Sequence, residues 1–329
     1  MAFGYIGVEP TNDKSSNNGV FDITELNKLR KDENLSSEGF NVDYLIVGGG
    51  GGGLNGLGSG GGGSGAVITT TGNNGGGSSN EPQFRAYVGK AYEVVIGAGA
   101  SGGGNTGGIT QFHNIFALPG GTGATQNSDS YSGGGAGRFS GTSNRDQVFA
   151  DQFGGEGTTM FKEFTGHNTQ GTFTGGNASY NAGKAGGGGA GGGGSSGGGT
   201  GGVGITNESF VSTSEASSDS IGEVVSSNVY WGGGGAGGDY DSNSTQSGGN
   251  GGGGNTSQNG TANTGGGGGG SGNNSGSSGG GSGVLLLKYP DTFSIVDNTG
   301  LTLGTTNTAG GFKVTPVKSG DGSLTWGKA

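Results

Sequence analysis

The apolar positions of this chain are gathered into a few short runs, and long stretches between them hold almost none. Val42-Asp43-Tyr44-Leu45-Ile46-Val47 is strand-length and rich in β-branched residues, and it ends abruptly in six glycines, Gly48–Gly53. Its counterpart comes late: Gly279-Gly280-Gly281-Ser282-Gly283 leads into Val284-Leu285-Leu286-Leu287-Lys288-Tyr289-Pro290. Both runs read as buried strands, expected to pair or lie close together. Ala66–Thr71 and Tyr92–Ile96 read as further strands, the second again running straight into glycine. Beyond residue 290 the pattern alternates: Phe293 and Ile295, Leu301 and Leu303, Phe312 and Val314, Leu324 and Trp326. Turns are expected at Asn298-Thr299-Gly300, Ala309-Gly310-Gly311 and Ser319-Gly320-Asp321-Gly322. The result is a small β-meander over 291–329, too small to stand alone, which should dock on the rest or on copies of itself. Near the start, Asp22-Ile23-Thr24-Glu25 has a capping-box pattern. It predicts a short helix over about 23–34, with Phe21, Leu26 and Leu29 on its docking side.

Glycine decides the class. The chain has 92 glycines in 329 residues, several times the usual share of about 7%. Collagen is excluded, because it needs glycine at every third position and abundant proline, whereas this chain has five prolines and uninterrupted glycine runs. Disorder and an ordered stack of glycine threads remain. Ordering a residue costs about 1–2 kcal/mol, glycine loses the most freedom, and a backbone hydrogen bond returns about 0.5–1.5 kcal/mol net. A lone run cannot order itself. Many side by side can, if each backbone group finds a neighbour and weak Cα–H···O contacts add to the total. Tracts near 48–53, 60–65, 75–77, 97–108, 133–137, 186–194, 197–204, 232–238, 248–254, 265–272 and 279–283 supply that multiplicity. The reading preferred on these grounds is mostly irregular and β: a layered polyglycine-II helix sandwich flanked by short strands. Serine, alanine and asparagine interruptions are expected on its outer faces. Three parts follow: an attachment segment over 1–41, the glycine-rich domain over 42–290, and the β-unit over 291–329.

Charge and motifs narrow the chemistry. A formal net charge of −10 with only 14 Lys and Arg disfavours nucleic acid or an anionic membrane as partner. There is no cysteine, hence no disulfide and no thiolate site. Met1–Tyr5 lacks the basic and apolar regions of a secretory signal, so assembly in a cytoplasm is expected. The glycines at 48, 50 and 53 satisfy a dinucleotide fingerprint only formally, because Leu54–Ser59 cannot be the helix it must open. His113 and His167 are the only histidines, and no carboxylate spacing singles out a metal site or a catalytic set. No enzyme activity, metal or cofactor is expected.

Longer glycine-poor excursions, about 109–132, 138–182, 203–231 and 239–247, hold most of the aromatics. These rings either pack the loops or form a recognition surface, since aromatic and small polar residues on a rigid frame suit binding. Phe149, Phe153, Tyr180, Tyr230, Trp231 and Tyr240 are the candidates, taken as a group.

The junction Val42–Gly53, the glycine blocks and the exit Gly281–Pro290 resemble glycine-rich tail-fibre proteins of tailed phages, particularly those of marine cyanobacteria. Asn18–Leu26 is similar to the N-terminal segment of such virion proteins, and Phe293–Thr315 to their C-terminal appendage. A looser likeness is to the fibre-tip adhesins of T-even-like phages, in which polyglycine-II helices form a sandwich whose distal loops grip a host surface protein or glycan. The resemblance implies a virion protein of the tail that mediates host recognition. Phe21, Leu26 and Leu29 would attach it to other tail or fibre proteins, and the protein would be a homo-oligomer, with a trimer the expected form. The alternative is a structural virion component (shaft, knob or capsid decoration) without receptor contact. A bacterial surface or matrix protein is a third reading, disfavoured by the missing export signal.

Overall fold

The computed structural model describes residues 11–13, 16–18, 39–55, 59–77, 79–123, 185–195, 199–239, 245–272 and 276–329. The two long apolar runs pair as expected. Strand β3 (Gly39–Val47) lies antiparallel to β12 (Val284–Pro290), with Val47 opposite Val284 and Asp43 opposite Lys288, so both enter glycine at the same edge of the sheet. Around this pair an 11-stranded antiparallel sheet assembles. Strands β4 (Val67–Thr69) and β5 (Phe84–Tyr87) flank β3. Strand β16 (Phe312–Lys328) flanks β12, and β6 (Ala91–Val95), β7 (Thr110–Phe112) and β8 (Ile115–Ala117) follow in order. Strands β13 (Phe293–Asp297), β14 (Leu301–Leu303) and β15 (Asn307–Ala309) pair along β16. A smaller sheet, β10 (Glu223–Val225), β11 (Asn228–Trp231) and β9 (Ile205–Thr206), packs with helix α1 (Thr213–Asp219). A short hairpin pairs β1 (Thr11–Asp13) with β2 (Ser16–Asn18). The predicted helix over 23–34, with Phe21, Leu26 and Leu29, lies outside the described residues.

Where β3 and β12 run into glycine they are continuously apolar, Tyr44–Val47 and Val284–Leu287, because both faces are buried there, whereas Asn41, Asp43 and Lys288 lie at the more open end. Val42, Tyr44 and Ile46 join Leu285, Leu287, Tyr289, Tyr92, Phe112 and Trp326 in one core. Leu45 and Val47 join Val284, Leu286, Phe210, Ile221 and Trp231 in the other. The first core is strongly aromatic: Phe40 stacks on Phe293 at 4.0 Å, and Trp326 meets Phe40, Tyr92 and Tyr289 edge-on at 5.5–5.8 Å. Such pairs add about 0.5–1.5 kcal/mol beyond their burial.

Two expectations need correcting. Ser319–Gly322 is no turn: β16 runs through it unbroken for 17 residues. Gly320 and Gly322 serve close approach instead, since a Cβ on either would overlap the backbone of Thr299 and Gly300 in the β13–β14 turn. The strand can therefore change partners along its length, from β12 and β15 to β14, then β6 and β13. The interruptions of the glycine tracts are likewise not all on outer faces: Ala98, Ser101 and Asn105 are exposed as expected, but others are not. Ser59, Ser64, Ser271, Ala66, Ala185, Ala190 and Ala236 are all buried, because the inner threads have neighbours on every side and only the smallest side chains fit between them.

The glycine tracts bond to one another in a regular way. Gly48 donates to Ala66 (3.0 Å) and Gly51 to Gly63 (2.9 Å), Gly49 to Gly108 (2.9 Å) and Gly52 to Asn105 (3.1 Å), Gly50 to Gly281 (2.9 Å) and Gly53 to Ser278 (2.9 Å). Each neighbour thus recurs at every third residue. In return Gly49 and Gly52 accept from Gly120 and Gly123, Gly50 from Ala100 and Gly51 from Gly268. The tract 232–238 repeats the arrangement. Gly233 and Ala236 donate to Gly251 and Gly254, Gly234 and Gly237 to Gly202 and Gly199, Gly235 and Gly238 to Gly62 and Ser59. Side chains would abolish these approaches. A Cβ on Gly51 would fall on the Gly121 carbonyl, on Gly53 on that of Gly269, and on Gly235 on that of Gly268.

Gly51→Ala should therefore lower stability by about 1–3 kcal/mol or more. Gly310→Asn, at a turn with φ 59° and open space around it, should change it by less than about 0.5 kcal/mol. Denaturant unfolding of the two variants measures both.

Burial raises the phenol pKa of Tyr44, reinforced by the charge of Glu81, and burial also raises that of Tyr289, opposed by its hydrogen bond with Thr315. Both keep their protons in the folded protein at a pH where unfolded tyrosine, with a pKa of about 10, has lost its own. Their contribution is complete below that pH and is lost as pH rises beyond it. Stability should fall above pH about 10, and less steeply in Tyr44→Phe, as paired denaturant titrations would report.

Candidate interaction surface

The glycine threads have two ends, and different parts of the chain meet at each. At one end they join the sheets, at Val47, Val67, Val95, Thr110, Ala117 and Val284 of the large sheet and at Ile205 and Trp231 of the small one. At the other end the chain turns back or leaves the described residues. Gly123, the last residue before 124–184, donates to Gly52, and Ala185, the first after it, accepts from Gly61. Gly238, beside Asp239, donates to Ser59, and Ser271 donates to Leu54. These contacts place the exits at 123, 185, 239 and 272 together, at the end away from the sheet.

Hydroxyls and carboxamides close off the threads here, much as caps close helices. The Ser271 amide donates to Ser59 Oγ at 2.9 Å, and Ser271 Oγ donates to Asn55 Oδ1 at 3.1 Å. Thr122 Oγ1 accepts from Gly104 and donates to the Gly52 carbonyl. Thr256 Oγ1 accepts from Gln246 and donates to Gly237, Asn255 Oδ1 accepts from Gly248, and Ser195 Oγ accepts from Thr200. Reading the tracts for their glycines alone misses these residues. The usable signal was a Ser, Thr or Asn recurring where each tract stops. Among the described residues of this end, Asp239 is the single charged side chain, and it is buried.

The candidate aromatics divide. Phe149, Phe153, Tyr180 and Tyr240 lie outside the described residues. Tyr230 and Trp231 lie in β11, at the sheet end of the threads. Trp231 is a core residue: its ring is fully buried with Phe210, Ile221 and Val229, and its Nε1 donates to the Asn207 carbonyl at 3.3 Å. An indole so enclosed cannot reach a partner without opening the core. Tyr230 is half-buried, opposite Glu223 and Thr206. The structure therefore does not bring these two together with the exits at Gly123, Ala185 and Asp239.

The sheet end carries the charged groups. Asp219, at the end of α1, accepts from the Thr305 amide and hydroxyl, and Lys318 Nζ donates to the Asp219 carbonyl. Glu223 Oε2 accepts from the amides of Gly251 and Gly252 at 2.5 and 2.8 Å. His113, in the β7–β8 turn, sits edge-on to Phe84 and Tyr92. Among the described residues no three His, Cys, Asp or Glu side chains gather as metal ligands, and no helix is long and apolar enough to cross a membrane.

Comparison with known proteins gave no match among curated sequences or solved structures. The model of the family described as a glycine-rich domain matches residues 34–290. That span begins just before β3, closes at the end of β12, and takes in every thread described above. With its two framing strands and the stack between them covered, the chain belongs to the glycine-rich domain family.

Proposed function

We propose that this chain is a tail-fibre or fibre-tip adhesin of a tailed phage, built on a polyglycine-II stack that holds its loops toward a host cell surface. The recurrence of each bonding neighbour at every third residue supports the stack, because a polyglycine-II helix has three residues per turn, as polyproline II does. At about 3.1 Å per residue, each thread is a stiff rod that carries the exits well away from the sheet.

The observation that carries the functional reading is the division of labour between the two ends. The chain enters the described core through Gly39 at the first strand of the large sheet. The long excursion over 124–184 and the one after Asp239 leave from the opposite end. Attachment through the N-terminal segment with Phe21, Leu26 and Leu29, and recognition through loops bearing Phe149, Phe153, Tyr180 and Tyr240, would then work from opposite ends of one rod. The partners are other tail proteins at one end and a host surface protein or glycan at the other, with a homo-oligomer as the working form. The second reading, a structural virion component, is favoured by the small, almost uncharged residues that close the described threads.

Purified protein should compete with virions for susceptible cells and slow their adsorption. Virions carrying alanine at Phe149, Phe153, Tyr180 and Tyr240 should assemble with the protein incorporated but adsorb at least about tenfold more slowly, the loss of a few contact residues at about 1 kcal/mol or more each. Normal adsorption by those virions, with no competition from purified protein, would leave the structural reading. For the stack, hydrogen exchange should find the amides of Gly51, Gly62 and Gly235 among the slowest in the protein. Free-peptide rates there would rule it out.

A further inference from the structure

Asparagine followed by glycine is the step of a polypeptide most prone to damage itself. The glycine nitrogen loses its proton and attacks the asparagine Cγ. A C–N bond forms, the side-chain amide leaves as ammonia, and water opens the resulting succinimide to aspartate or isoaspartate. Asparagine is thermolabile for this reason, and glycine is the worst successor because no side chain hinders the attack. A chain this rich in both residues should be chemically fragile.

Three complete Asn–Gly pairs fall among the described residues, and in each at least one reacting group is engaged by hydrogen bonds. At Asn74–Gly75 the carboxamide is pinned. Asn74 is fully buried, its Oδ1 accepts from the Thr69 amide at 2.7 Å, and its Nδ2 donates to Ser79 O and Glu81 Oε1 at 2.8 and 2.9 Å. At Asn259–Gly260 both reacting groups are engaged by one residue: Asn259 Oδ1 accepts from the Gly279 amide at 2.8 Å, and the Gly260 amide donates to the Gly279 carbonyl at 2.9 Å. At Asn250–Gly251 the attacking nitrogen is held, its proton donated to Glu223 Oε2 at 2.5 Å. Asn250 is tied through its own carbonyl, which accepts from the Gly204 amide at 2.6 Å.

We infer that the fold protects these three pairs from cyclisation, so that the folded protein resists ammonia loss at the steps where its sequence invites it. For each pair the attack must wait until the local hydrogen bonds open, and its rate is scaled down by the fraction of time they are open. Glu223 has a specific part in this. It bridges from β10 to the turn at Gly251 and Gly252, whose φ angles of 107° and 86° aim both amides at its carboxylate. Among the described residues it is the side chain that holds the Gly251 nitrogen.

The test is peptide mapping of aspartate and isoaspartate at Asn74, Asn250 and Asn259 after prolonged incubation of the whole protein in mildly alkaline buffer, native and in urea. Native rates should be slower than unfolded ones by roughly a hundredfold or more at all three sites, since opening a bonded core segment is that rare. Comparable native and unfolded rates would overturn the inference. Glu223→Ala should speed conversion at Asn250 alone, and Glu223→Gln, which keeps an acceptor, should restore most of the protection. If Glu223→Ala instead leaves Asn250 as slow as in the native protein, the role given to Glu223 is wrong. Loss of the whole fold in that variant would speed all three sites together, again tying protection to the fold.

Discussion

The structure depends on how closely two backbones can approach when no Cβ stands between them. At Gly51, Gly53 and Gly235 the position a methyl group would take is already filled by a neighbouring carbonyl. The absence of side chains is therefore what allows each thread to bond to neighbours on several sides, not merely a loss of packing material. Such bonds return about 0.5–1.5 kcal/mol each, close to what ordering a residue costs. The stack accordingly has little margin of its own, and the anchoring falls to the apolar strands at one end. The aromatic cluster around Trp326 and the second core around Trp231 hold the thread ends in register, so that hydrogen bonds which are weak singly can form together.

This division explains why part of the architecture was legible in the sequence and part was not. The pairing of β3 with β12 could be read because each has a run of apolar residues bordered by glycine, Tyr44–Val47 before Gly48 and Val284–Leu287 after Gly283, and a segment buried on both faces has that appearance. The C-terminal alternation was equally readable at Phe293, Leu301 and Trp326. Gly320 and Gly322 misled, because glycine between polar residues signals a turn as readily as a close crossing. Only the position of the Thr299–Gly300 backbone tells the two apart. Helix α1 was announced by Ser212 and Glu215, whose side chain and backbone groups form a capping box, but the motif was hidden within a serine-rich stretch.

The interaction surface was less legible. Aromatic content is a poor guide when the same ring types fill a core, as Trp231 does. The small polar residues that close the threads carry no periodic signature, since their partners are far apart in sequence: Ser59 with Ser271, Thr122 with Gly52, Asn259 with Gly279. Thread order, and hence which loops share an end, is set by long-range backbone bonds that residue identity does not encode when both partners are glycine.

Strand β16 carries one more implication. It lies beyond every thread in sequence, yet its rungs connect β12, which closes the stack, to β6, which leads into the tract at Gly97. In a nascent chain β12 and β6 would have no strand between them until residues 312–328 emerged from the ribosome. Contacts between such distant residues are slow to form, and the strand acts as a clasp fastened last. The joining of these two parts of the large sheet thus waits on a segment that contributes no glycine thread.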